Sequence, residues 1–192
     1  MAHLQAAVIA VPPFDISHLE RGHAVHFRSR HPDAPGLRID VMTRMRGIDD
    51  FNELWDRRTT FDLTGVGTVE TLSLQDLVAS KKTQRDKDWP MLRRLVEVHY
   101  HQNYESPTPK RIDFWLRELR TPEILVESAA RFPGEVRDLG TERPLLLEVL
   151  SGDLDRIRAG LNAEADVIRA LDRTYWAPLK AEIEELRRNR SR

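Results

Sequence analysis

The chain has no cysteine among its 192 residues. Disulfides, thiolate zinc sites and cysteine nucleophiles are therefore excluded, and the expected compartment is the cytoplasm. Also missing is any apolar run near the roughly 18 residues that a membrane span needs, so no membrane partner is expected. The apolar opening Leu4-Gln5-Ala6-Ala7-Val8-Ile9-Ala10-Val11 has no basic segment before it and stops at Pro12-Pro13. It is a poor signal peptide and reads as a core element, with room for a beginning outside this chain. Net charge is nearly absent, with 30 basic residues against 31 acidic ones. A phosphate-neutralising surface leaves a basic excess, so nucleic acid is not indicated as a partner, although a local basic patch and an RNA acceptor stay open. There is no internal repeat, nucleophile elbow, P-loop or dinucleotide fingerprint.

What is present divides into an α+β front and a helical remainder. Residues 23–29 and 37–43 alternate as strands do, and the turn formers between them, Arg30 to Gly36, predict a hairpin. Asp49-Asp50 offers an N-cap to a short helix through Phe51, Leu54 and Trp55. Residues 59–63 and 67–72 are a second strand pair around Gly65 and Gly67. Ser73 opens a helix with Leu74, Leu77 and Val78 at helical spacing, and another runs from about Asp88 to Tyr100 with Pro90 in its first turn. Residues 105–109 read as a linker, giving an expected division into 1–104 and 109–192. Beyond it, helices are expected at 109–119, 121–132 and 143–150. A long helix follows from Asp153, and a last one is seeded by Pro178. The apolar stripe from Leu154 to Tyr175 fits packing on the chain's own front half or self-association.

Two features carry candidate chemistry. Asp40 lies in the otherwise apolar run Leu37, Ile39, Val41. A half-buried carboxylate there wants a metal or a hydrogen-bond partner, whereas strand alternation alone would put it on the solvent face. The second is the run Lys81, Lys82, Arg85, Lys87 and Asp88 between two helices. Cations at a helix C-terminus and an aspartate at an N-cap are ordinary; the alternative is a cationic corner facing phosphates. The spacing of His23 and His26, and of His99 and His101, sends each pair apart, so no histidine metal site is expected. Asp153-Leu154-Asp155 reads as a helix start rather than a catalytic pair.

The order of these features, from the strand bearing Asp40 through Gly47-Ile48-Asp49-Asp50-Phe51-Asn52-Glu53-Leu54-Trp55 and Leu72-Ser73-Leu74-Gln75-Asp76-Leu77 to Lys81, Arg85 and Asp88, resembles a bacterial group of nucleotidyltransferase-like proteins. That group includes minimal nucleotidyltransferases and the nucleotidyltransferase toxins of toxin–antitoxin systems. The resemblance covers about residues 20–97. It implies a mixed sheet with helices and a Mg²⁺-dependent transfer of a nucleoside monophosphate from a nucleoside triphosphate to a hydroxyl acceptor. By the same resemblance Asp40 looks like the third metal-binding carboxylate, Lys81 and Arg85 like phosphate contacts, and Asp88 like the last acidic position.

The chain departs from that pattern at the front. The 39 residues before Asp40 hold only Asp15, Glu20 and Asp33 as acids, with no Asp-x-Asp pair and no Gly-Gly or Gly-Ser turn. One aspartate cannot supply a two-metal site. The expectation is a truncated, degenerate or partner-completed nucleotidyltransferase-like protein with little activity of its own. The alternative is a non-catalytic scaffold whose helical tail binds a partner protein or a second copy. A sheet without its leading strands should cover its edge with residues 4–19, fold back its tail, or dimerise.

Overall fold

The computed structural model describes residues 3–190; residues 1, 2, 191 and 192, the outer ends of the two expected regions, lie outside them. Among the described residues the class is α+β, with five strands and nine α-helices. Strands β1 (Ala7–Val8), β2 (Val25–Arg28) and β3 (Arg38–Val41) form one antiparallel sheet in the order β1-β2-β3, and β4 (Thr59–Leu63) pairs with β5 (Gly67–Thr71) in another. Both hairpins arise where alternation and turn residues predict them. The mixed sheet implied by the resemblance does not form: every pairing is antiparallel and local, and the strands divide between two sheets.

The edge of β2 is covered from within. Ala7 and Val8 pair with Arg28 and Phe27, and beyond them Ile9 N donates to His26 O and Arg30 N to Leu4 O. Of the three expected ways to satisfy that edge, the chain uses residues 4–9.

Contacts divide the chain into two compact units. One consists of residues up to Leu72 together with those from Arg173, and the other is Ser73–Asp172. The first has a small core of Leu19, Val25 and Phe27, with Ala6, Ile39 and Val41 against it. Helix α1 (Ile16–Glu20) starts on Asp15, whose carboxylate accepts from Ser17 N, and it ends with Arg21 as C-cap and Gly22 just beyond. Gly22 N donates to Leu19 O and His23 N to His18 O, a closing pair that needs the left-handed backbone seen at φ +95°. Helix α2 (Phe51–Asp56) follows Asp50 and buries Leu54.

The second unit is all helix. Helix α3 (Leu74–Ser80) begins on Ser73, whose Oγ accepts from Asp76 N and donates to Asp76 Oδ2, a reciprocal cap. A short 3₁₀ turn (Asp86–Asp88) leads into α4 (Trp89–Gln102), then α5 (Pro109–Glu118), α6 (Pro122–Arg131), α7 (Pro133–Leu139) and α8 (Leu145–Val149). Proline starts α5, α6 and α7, where a missing N–H costs nothing. Tyr100 of α4 and Trp115 of α5 meet edge to face inside one core that continues through Leu146 and Ile157. The linker expected at 105–109 therefore joins two helices of the same core. Pro133-Gly134, expected as a stop, starts α7 instead.

The last helix, α9 (Leu154–Arg190), runs without a break through Pro178, where a separate helix was expected. Proline forfeits one ladder bond, at about 3 kcal/mol, but neighbouring Leu179 is buried and packing outweighs that loss. Ile157 and Leu161 of the expected stripe enter the second unit's core, Ala165 is buried too, and Leu171 stays exposed.

Gly160 of α9 meets Leu145: a Cβ there would lie 2.4 Å from Leu145 Cδ1, and Leu145 is buried. Gly→Ala inside a helix ordinarily stabilises by about 1 kcal/mol. Gly160→Ala should instead destabilise, by about 1–3 kcal/mol from overpacking. Adding Leu145→Ala should remove that penalty in a double-mutant cycle read by urea unfolding.

Candidate functional site

Asp40 stands directly opposite His26 across the β2–β3 ladder. His26 Nδ1 lies 2.7 Å from Asp40 Oδ1, and Arg38 Nε donates to the same oxygen at 2.8 Å. Partial burial pushes the Asp40 carboxyl up, but the bonds from Arg38 and His26 outweigh it and hold the group below the ordinary carboxylate range. Asp40 thus closes an ion cluster on the outward face of its sheet. Among the described residues no group of three or more His, Asp or Glu is placed to hold a metal ion.

The other three predicted residues belong to the second unit. Lys81 caps the C-terminus of α3 and is half-buried, while Arg85 is exposed. Asp88 is buried and accepts from Thr83 Oγ1 at 2.9 Å, with Arg85 Nε 3.7 Å from the same oxygen. Around them the turn is braced: Trp89 Nε1 donates to Thr83 O, Gln84 N donates to the buried Asp172 carboxylate, and the Arg169 guanidinium covers the Trp89 ring at 4.9 Å. The structure therefore brings Arg85 and Asp88 together as parts of a braced turn.

It is Lys82, not Lys81, that turns into a cleft. Lys82 lies just past Lys81, the C-cap of α3, where the chain leaves the helix and carries the side chain to Glu118, its Nζ 2.5 Å from Oε1. The cleft has a volume of about 490 Å³ and is lined also by Arg117, Arg120, Arg143 and Glu164. Arg143, between α7 and α8, makes a two-pronged bond to Glu164 of α9, Nε to Oε1 at 2.9 Å and Nη2 to Oε2 at 2.8 Å. Its Nη1 also donates to Leu116 O at 2.6 Å, and its Nη2 to Leu119 O at 3.3 Å, where α5 ends. Arg120 is the second guanidinium on Glu164. Burial pushes the Glu164 carboxyl up, yet Arg143 and Arg120 together overcome it and lower the pKa. At the mouth, Arg117 holds Asp113 and Glu142.

The first unit carries an apolar pocket of about 200 Å³ between α2 and the β4–β5 hairpin, lined by Met45, Leu54, Trp55 and Leu72. Phe51 and Trp55 stack at 5.7 Å, and the Arg58 guanidinium lies 4.2 Å above Trp55 while its Nε donates to Glu70 at 2.8 Å. Phe51 is 66% exposed and Trp55 46%. On the hairpin, Phe61 pairs with Val69 and Leu63 with Gly67 on one face, and Val66 at the turn is 74% exposed.

The histidines sort as their spacing predicted. His23 is buried with Nε2 2.6 Å from Glu182 Oε2, whereas His26 is on the sheet surface with Asp40. His99 Nδ1 accepts from Trp115 Nε1 within the core. Asp153 Oδ1 accepts from Arg156 N at the start of α9, the cap that was expected. No helix among the described residues is long and apolar enough to cross a membrane. Comparison of the chain with protein-family models, with curated proteins and with solved structures finds no match.

The lowered Glu164 pKa has a stability consequence of definite sign. A carboxyl whose folded-state pKa lies below its unfolded value contributes stability that is complete above the unfolded value, near 4.5. That contribution is lost as pH falls through the folded value. Glu164→Gln should cost about 3–5 kcal/mol at neutral pH, since it leaves two guanidiniums without their anion, and should flatten the acid limb of stability. Urea unfolding of both proteins across that pH range measures the two effects. Asp40→Asn, on an exposed pair, should cost under about 1 kcal/mol.

Proposed function

We propose that this chain is a nucleotidyltransferase-like protein that acts by association rather than by nucleotide transfer, and that its first unit is the binding surface. The observation that carries this reading is the apolar pocket beside the stacked, exposed Phe51 and Trp55. Aromatic side chains and an arginine around a small apolar pocket make up the composition of binding hot spots. The pocket's only charges, Arg58 and Glu70, neutralise each other, so it fits an uncharged apolar insertion.

The hairpin supplies the rest of the surface. A two-stranded sheet is marginal alone in water, and this one leaves Phe61, Leu63 and Val66 exposed. With Phe51 and Trp55, α2 and the hairpin expose five large apolar side chains, and exposed apolar surface of that kind marks interaction sites where it gathers. A stable interface needs about 800 Å² per partner, of which these side chains would form the apolar part. The occupant we propose is a second copy of this chain.

Transfer chemistry has less support. A Mg²⁺ ion holding a nucleoside triphosphate would need Asp40 released from Arg38 and His26, and further carboxylates beside it. On the proposed reading Asp40→Asn leaves Mg²⁺–ATP binding unchanged in calorimetry; tight binding abolished by that substitution would restore the catalytic reading.

Sedimentation velocity across a concentration series tests the association. The chain should dimerise, and Val66→Asp or Trp55→Ser should weaken the dimer by about tenfold or more. A protein that stays monomeric at every concentration, or a dimer indifferent to both substitutions, would remove this proposal.

A further inference from the structure

The cleft of the second unit holds an internal charge imbalance. Its inner part has three cations, Lys82, Arg120 and Arg143, and two carboxylates, Glu118 and Glu164. Glu164 is shared by both guanidiniums and Glu118 is bonded to Lys82. All five side chains are at least three-quarters buried. A dehydrated excess positive charge is costly unless an anion reaches it. The outer group, Arg117 with Asp113 and Glu142, has the opposite imbalance, but those side chains are one-third or more exposed and screened by solvent.

From this arrangement we infer that the cleft is a binding site for a small phosphate anion, either free phosphate or a phosphate monoester. Its oxygens would bond Lys82 and Arg120, with Arg117 at the mouth. Guanidinium groups match phosphate oxygens in pairs and a lysine adds a point charge; a phosphate monoester carries roughly −1.5 to −2, enough to compensate the excess. The volume of about 490 Å³ lies within the range of small-ligand sites. Burial of Lys82 and Arg120 also registers in their acidity. Burial pushes the Lys82 ammonium down and Arg120 and Arg143 act in the same direction, against Glu118; Arg120 is likewise lowered by burial and by Arg143.

Ala163, Val167 and Ile168 of α9 line the cleft beside Glu164. Their small or apolar side chains leave room beside the cations, and Val167 is 61% exposed. A charge placed at Val167 faces the cleft without disturbing the core. The inference is independent of self-association, because the two surfaces share no residue.

Titration of the full chain with inorganic phosphate, and separately with a nucleoside monophosphate, at constant ionic strength against potassium chloride, tests the site. Thermal unfolding and calorimetry are the readouts. A saturable rise in unfolding temperature is expected with phosphate and not with chloride. Val167→Glu should abolish the rise while leaving the unliganded fold intact, and Lys82→Gln should weaken binding about tenfold. A monophosphate that binds about tenfold tighter than phosphate marks an ester as the ligand; equal affinities mark free phosphate. Absence of a saturable shift, or the same shift in Val167→Glu, overturns the inference, and that variant decides the matter even where Lys82→Gln does not fold.

Discussion

Arg143 is the side chain on which the second unit depends. Helix α5 ends with carbonyls that lack partners of their own, and the chain turns away at once into Leu119, itself fully buried. No water can serve those carbonyls there, so a donor must come from elsewhere in the sequence. Arg143 reaches Leu116 O and Leu119 O with one guanidinium and holds Glu164 with the same group. The end of α5, the α7–α8 connection and the middle of α9 are thereby fixed in one place. A lysine could not substitute, since only a planar fork serves two carbonyls and a carboxylate together. The excess charge in the adjoining cleft follows from this arrangement: Arg120 shares a carboxylate that Arg143 already occupies.

The two units differ in how much apolar surface they bury. The Ser73–Asp172 unit packs aromatic and aliphatic side chains from α3 to α9 into one continuous cluster. The first unit has a cluster of three buried residues and leaves large apolar side chains on α2 and the hairpin in water. Since burial of apolar surface is worth roughly 25 cal/mol per Å², the first unit has far less internal stabilisation to draw on and more to gain from a partner. The second unit's unsettled feature is charge, which calls for a small ion rather than a protein surface. The proposed association and the proposed anion site thus rest on different units for different physical reasons.

The secondary structure was largely legible because its signals are local. Alternation with Gly65 and Gly67 marked the β4–β5 hairpin, and Ser73 and Asp153 marked helix starts by their side-chain oxygens, while Asp50 stands at the N-cap of α2 without a side-chain cap bond. Two prolines misled, in opposite ways: Pro133 begins a helix and Pro178 lies within one, a difference that tertiary packing decides. The ionic cleft was not legible. Its members, at 82, 118, 120, 143 and 164, share no spacing, and buried ion pairs leave no periodic trace. One signal was available: Ile157, Leu161, Glu164 and Ile168 follow one another on a single helical stripe, and a carboxylate on an otherwise apolar face asks for a buried cation. Asp40 looked like that kind of residue, but strand alternation set it opposite His26 on the outward face. The fold class was read correctly, except that the sheet expected to be mixed is replaced by two antiparallel ones built from local pairings.

His23 and Glu182, bonded to each other, are separated by 159 positions in the sequence. The first unit is thus assembled from both ends of the chain, with the second unit inserted between its pieces. During synthesis the leading segment emerges well before its helical partner exists. At about 5–20 residues per second, the interval between Leu72 and Glu182 lasts on the order of 10 s. The Ser73–Asp172 unit, made from one unbroken stretch, can complete its core in that time, because helix and hairpin formation take microseconds. The strands of the leading segment pair locally, but His23 meanwhile lacks its carboxylate partner. The order of emergence makes the bond between His23 and Glu182 one of the last contacts of the first unit to close.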